Sequence, residues 1–145
     1  MNQRTNMLLI ILTLALLTGC APDVLMVSPA PKSDGGFIQG QAVVENVEIV
    51  FLESFPLQVH VAAYGYLPDP CTEIADVSVE WDGNHFEVLI PTLREAEVMC
   101  IQVIEEFEEN IPLDVYGLPA GVYTVTVNGI EAEFTFLQDN SLPDG

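Results

Sequence analysis

Positive charge is nearly missing from this chain: its 145 residues include three Lys or Arg (Arg4, Lys32 and Arg94) against 22 Asp and Glu, a formal net charge of −19. So acidic a surface repels nucleic-acid phosphates and anionic headgroups, which excludes nucleic acid as a partner and leaves membrane contact to some route other than charge. Such charge serves solubility or a salty habitat, or else it draws in cations or a basic partner. Histidine is scarce too. Neither His60 nor His85 has a cysteine, serine or aspartate at a catalytic spacing, and the few serines sit in no G-x-S-x-G setting, so nothing supports nucleophilic hydrolysis. The three cysteines form no C-x-x-C pair, which argues against redox work. The longest apolar run, Met7 to Leu17, covers at ~1.5 Å per residue only about half of a ~30 Å hydrocarbon core, too little for a transmembrane helix. The expectation from these absences is a protein with no catalytic residue, metal or cofactor, and not an enzyme.

What is present begins at the amino terminus. Arg4, the apolar stretch to Leu17 and the small pair Thr18-Gly19 follow the order of a secretion signal. The run Leu17-Thr18-Gly19-Cys20 resembles the lipobox of bacterial lipoprotein signal peptides. That resemblance implies that residues 1–19 are cleaved and that Cys20 becomes the new amino terminus carrying a diacylglycerol, usually with a further acyl chain. Two or more chains hold firmly, because each buried CH₂ contributes about 0.8 kcal/mol. The membrane partner is then the lipid on Cys20, and the implied location is the bacterial cell envelope, facing the periplasm or the exterior. The alternative is an ordinary secretory signal with a chance cysteine.

With Cys20 committed to lipid, Cys71 and Cys100 are left as a pair in an oxidising compartment, and a disulfide between them is expected. Residues 20–36, with Pro22, Pro29, Pro31 and Gly35-Gly36, read as a lipidated flexible tether that reaches at most about 50 to 60 Å. Residues 37–139 form one domain of common size, and 140–145 a short tail.

From Phe37 onward the apolar period is two, which predicts strands with one buried face. Val77, Val79 and Trp81 alternate with polar residues up to Gly83-Asn84, after which Phe86, Val88 and Ile90 alternate with His85, Glu87 and Leu89. A two-residue turn there pairs Trp81 with Phe86 and Asp82 with His85. A second hairpin joins Tyr123–Val127 to Ile130–Phe136 across Asn128-Gly129, the strongest short hairpin signal. Ile101, Val103, Phe107, Ile111, Leu113 and Val115 hold odd positions in a long segment broken by Glu105, Glu109 and Pro112, which reads as a bent edge strand. The expected fold is all-β: one immunoglobulin-like antiparallel β-sandwich of about seven strands, with a small open barrel as the alternative. Cys71 and Cys100 bracket the first hairpin instead of bridging the two sheets around a tryptophan, unlike antibody domains.

Three groups of side chains are candidates for chemistry or binding. Asp82, His85 and Glu87 share a hairpin face but lack a fourth metal ligand, so a solvated polar face is expected. The run Glu105-Glu106-Phe107-Glu108-Glu109 suits weak calcium binding poorly, because a strand sends alternate carboxylates to opposite faces; a row protecting a sheet edge is the expectation. Tyr64, Tyr66 and Tyr116 lie near proline-rich turns, where β-sandwiches commonly bind partners, and form the candidate binding surface.

Residues 112–129, with Leu67-Pro68-Asp69 and Cys71-Thr72, resemble uncharacterised lipoproteins of environmental bacteria over roughly residues 45–137. Chagasin-like cysteine protease inhibitors share an immunoglobulin-like fold, but their loop motifs do not occur here. Two functions remain. One is a lipid-anchored noncatalytic envelope module that binds a protein or glycan or plays a structural role. The other is an inhibitor or accessory subunit of an envelope enzyme, working through the disulfide-stapled loop Leu67 to Cys71.

Overall fold

Alternation of apolar and polar residues builds an all-β sandwich. The computed structural model describes residues 33, 34 and 36–142; the leader, Cys20 and the tether as far as residue 32 lie outside the described residues. In chain order the strands are β1 (Ser33–Asp34), β2 (Phe37–Gln41), β3 (Val43–Leu52), β4 (Gln58–Leu67), β5 (Thr72–Ile74), β6 (Ser78–Asp82), β7 (His85–Leu89), β8 (Pro91–Glu95), β9 (Glu105–Leu113), β10 (Gly121–Val127) and β11 (Ile130–Phe136). They form three sheets, ordered β1-β2-β8-β5, β11-β10-β7-β6 and β3-β4-β9.

One core joins the last two. Val59, Val61 and Ala63 of β4 meet Phe86 and Val88 of β7, Val125 and Val127 of β10, and Phe134 and Phe136 of β11 in a single buried cluster. Stacked rings of Tyr123 and Phe134, 5.3 Å apart, thicken it at one end. The Tyr123 hydroxyl donates to the Pro119 carbonyl at 2.9 Å, four residues upstream, the tyrosine corner of Greek-key sandwiches.

Both predicted hairpins form in the expected register. Trp81 pairs with Phe86 and Asp82 with His85 across a turn whose Gly83 has φ +64°. Val127 pairs with Ile130 across Asn128 (φ +44°) and Gly129 (φ +91°), the two positive values that a type I′ turn requires. The asparagine does more than turn the chain. Its Nδ2 donates to the carbonyls of Ala42 and Ile90, and its Oδ1 accepts from the Ile90 amide, so this hairpin tip also ties down the ends of β2 and β7.

Several details depart from expectation. The strands among the described residues number eleven, not about seven, because the short segments β2, β5 and β8 build a sheet of their own with β1. Their sequences carry little apolar alternation, so only pairing reveals them. The ladder is not antiparallel throughout, since the two hairpins join through a parallel pair, β7 with β10 from His85↔Thr124 to Val88↔Val127. Ser33 and Asp34, inside the expected tether, form β1 and pair antiparallel with β2. The segment from Ile101 to Ile104 is not strand: β4 ends at Leu67, opposite Glu105, so those residues have no neighbour to pair with. Asn140, expected to open the tail, is buried; its side chain accepts from the Leu57 amide and donates to the carbonyls of Leu57 and Val115.

Candidate functional site

β4 is the middle strand of its sheet, and its alternation decides what each face presents. Val59, Val61, Ala63, Gly65 and Leu67 point into the core, and His60, Ala62, Tyr64 and Tyr66 point away from it. Antiparallel neighbours set the surroundings row by row: Tyr66 lies between Val43 of β3 and Glu106 of β9, Tyr64 between Asn46 and Glu108, and Ala62 between Glu48 and Asn110. Two half-buried tyrosines thus stand in a frame of carboxylates and amides. Burial, then the charges of Glu108 and Glu48, push the Tyr64 phenol above its ordinary pKa. Gly65 between the tyrosines has a steric reason: a Cβ there would strike the backbone of Val43, where the β3 register shifts at the bulge between Val44 and Asn46.

Tyr116 is not part of this surface. It follows β9, whose last residue, Leu113, pairs with Val59, seven residues or about 23 Å along β4 from Tyr66 at ~3.3 Å per residue. The acidic run divides as strand geometry requires. Glu106 and Glu108 share the tyrosine face, whereas Glu105 and Glu109 pair with Leu67 and Ala63 and lie on the core side of an open sheet edge.

The histidines are engaged. His60 Nδ1 bonds Asn110 Oδ1 at 2.8 Å, and His85 bonds Thr124 through Nδ1 at 2.9 Å and Glu87 through Nε2 at 3.3 Å. Asp82 stands cross-strand from His85, outside these bonds.

Cys71 and Cys100 are joined in a disulfide with their Cα atoms 6.2 Å apart. Beside it lies Asp69, 5% exposed, whose carboxylate accepts from the Cys71 amide and Thr72 hydroxyl at 3.0 Å each and from Arg94 Nε at 2.8 Å. Burial alone would raise its pKa. The Arg94 bond, then those from Thr72 and Cys71, and the Arg94 charge outweigh burial and hold the carboxyl below its ordinary 3.8. Asp69 and the two sulfurs lie close enough together to share a metal ion, but the sulfurs are bonded to each other and the carboxylate to Arg94. A shallow groove of about 310 Å³ beside the disulfide is lined by Phe37, Pro70, Leu93 and Val98.

Sequence reasoning missed one further feature, an apolar groove of about 510 Å³ among Phe51, Phe55, Leu57, Phe136 and Leu137. Phe51 and Phe136 read as ordinary alternating strand residues, and only the packing of β3 against β11 brings them together. Nor did it reveal Glu48, Glu106 and Glu108 around the tyrosines, because the pairing of β3 and β9 with β4 leaves no local signal.

Known proteins carry this domain. The chain is 35% identical over 88 residues, 61% of its length, to an uncharacterised 10.2 kDa protein from the HgiCIIM 5′ region of Herpetosiphon aurantiacus, and the match spans 93% of that relative. A second, from the HgiBIM 5′ region of the same organism, is 35% identical over 77 residues, 53% of this chain and 93% of the relative. No solved structure is a significant match. The family model described as the ORF11 beta-sandwich domain matches residues 61–136, from within β4 to the end of β11 and so including both tyrosines, the disulfide and the acidic edge, and the chain belongs to that family.

Proposed function

We propose that the protein is a lipid-anchored, noncatalytic module of the bacterial cell envelope that binds a protein or glycan, held at the membrane by the lipid on Cys20. The observation that carries the binding role is the open Tyr64–Tyr66 face on the central strand of the β3-β4-β9 sheet. Tyrosine supplies large contact area at little entropic cost and is enriched where proteins meet partners. The noncatalytic part draws support from the histidines and Asp69, whose hydrogen bonds are structural ones. The anchor rests on Leu17-Thr18-Gly19-Cys20. Fractionating cells that express the full chain and its Cys20→Ser variant tests the anchor: the variant moves to the soluble fraction, and persistent membrane association defeats it. Pull-down from solubilised membranes with wild type and Tyr64→Ala tests the binding face, where a partner retained equally by both is the adverse result.

A second reading, an inhibitor or accessory subunit of an envelope enzyme, draws on the loop Leu67 to Cys71. Asp69 and the disulfide fix that loop from inside while Pro68 and Pro70 stay exposed, the preorganisation that insertion into a cleft rewards. A stoichiometric hydrolase in the pull-down, lost on replacing Pro68, favours it.

A further inference from the structure

The outward face of the β3-β4-β9 sheet carries Glu48, Glu106 and Glu108 around Tyr64 and Tyr66, on strands that contain no Lys or Arg. Among the described residues the Arg or Lys pairing with a carboxylate is Arg94–Asp69, which lies elsewhere, as does the His85–Glu87 hydrogen bond, so none of these residues supplies a counter-charge to the carboxylates beside Tyr64 and Tyr66. His60, the one basic group on the face, is bonded to Asn110.

We propose that this face, with Tyr64 and Tyr66 at its centre and Glu48, Glu106 and Glu108 around them, docks an extended segment of a protein partner that carries Lys or Arg at alternate positions. The inference rests on the reading of the protein as a binding module and names the chemistry of its partner.

Spacing separates this occupant from a metal ion. Glu106 and Glu108 are two residues apart on one strand face, about 6.6 Å at ~3.3 Å per residue, whereas calcium holds its oxygens at about 2.3 to 2.6 Å and needs carboxylates that converge. The same 6.6 Å is the repeat of alternate side chains in an extended peptide. Each basic group of such a segment meets one carboxylate, and its alkyl stem or guanidinium lies over a tyrosine ring, whose face attracts cations. Ala62, small and 4% exposed, leaves the floor beside Tyr64 low enough for a chain to lie across it. Pairing along the free edge of β9 is disfavoured, because Glu105 and Glu109 stand there on the core side and would be buried by an added strand. A neutral glycan gains nothing from the charge, and nucleic acid and anionic lipid are repelled by it.

The test is fluorescence anisotropy with detergent-solubilised full chain and a labelled peptide alternating lysine with threonine, beside the same peptide with glutamine for lysine. The lysine peptide binds and the glutamine peptide does not. Replacing Glu106→Gln and Glu108→Gln together weakens binding about tenfold or more, as expected where charged partners at a centre are lost, and Tyr64→Ala with Tyr66→Ala does the same. Removing two equal charges from β11 with Glu131→Gln and Glu133→Gln changes it less than about twofold. Thermal midpoints of all variants are recorded, and the near-isosteric glutamine pair keeps the test open if the alanine pair fails to fold. Equal loss in the β11 variant, equal binding of the glutamine peptide, or displacement by an N-acetylglucosamine oligosaccharide overturns the proposal. A membrane partner that depends on Tyr64 while the lysine peptide fails to bind overturns this inference alone; no Tyr64-dependent partner of any kind overturns the underlying reading as well.

Discussion

Asp69 gathers three donors at one buried carboxylate, and its protonation decides how well the 67–72 turn is held. Its folded pKa lies below the unfolded value of 3.8, so its stabilisation is present above about pH 4 and is lost as pH falls through the lower folded value. Asp69→Asn should therefore unfold at a lower temperature than wild type at pH 7, with the gap closing as the pH drops below about 4; a gap that stays constant down to pH 2.5 contradicts this role. Asn128 shows what a residue conceals in sequence. As half of Asn128-Gly129 it reads as a turn, and it is one, but its amide also bonds Ala42 and Ile90, 86 and 38 residues away. Turn preference is local and legible, whereas the use of a spare amide depends on what the fold brings beside it.

At the scale of elements, the disulfide ties the start of β5 to the irregular segment before β9. It closes a loop of 29 residues in sequence separation, which in the chain-entropy model stabilises by roughly 3 to 4 kcal/mol. Reduction, or Cys71→Ala with Cys100→Ala, should lower the free energy of unfolding in denaturant by about that amount while leaving the β-sheet circular dichroism unchanged; an unchanged midpoint would show that the bridge constrains little. Strands with a buried face, such as Tyr123–Val127, announce themselves by alternation. β2, β5 and β8 do not, because segments such as Thr72-Glu73-Ile74 are too short to show a period and exist through their pairing.

For the whole molecule, a net charge of −19 with one Arg–carboxylate pair, Arg94–Asp69, among the described residues means that the compact state is under self-repulsion. Raising sodium chloride from about 0.01 M to about 1 M shortens the screening length from roughly 30 Å to 3 Å and should raise the thermal midpoint by about 3 to 8 °C. A midpoint that falls with salt would mean that attraction, not repulsion, dominates the surface. Restricting glutamate to glutamine changes to the β3-β4-β9 face should reproduce part of that gain, since Glu48, Glu106 and Glu108 stand close together there.

Side-chain alternation, turn chemistry and cysteine arithmetic make the all-β class, both hairpins and their registers, the division of the Glu105–Glu109 run between opposite faces and the pairing of Cys71 with Cys100 legible from the chain alone. Tertiary packing is what joins the hairpins through the parallel β7–β10 pair, sets Tyr116 apart from Tyr64 and Tyr66, faces both tyrosines outward and brings Glu106 and Glu108 beside them. Non-local strand pairing is chosen by the packing of the whole core, and no short stretch of chain carries that information.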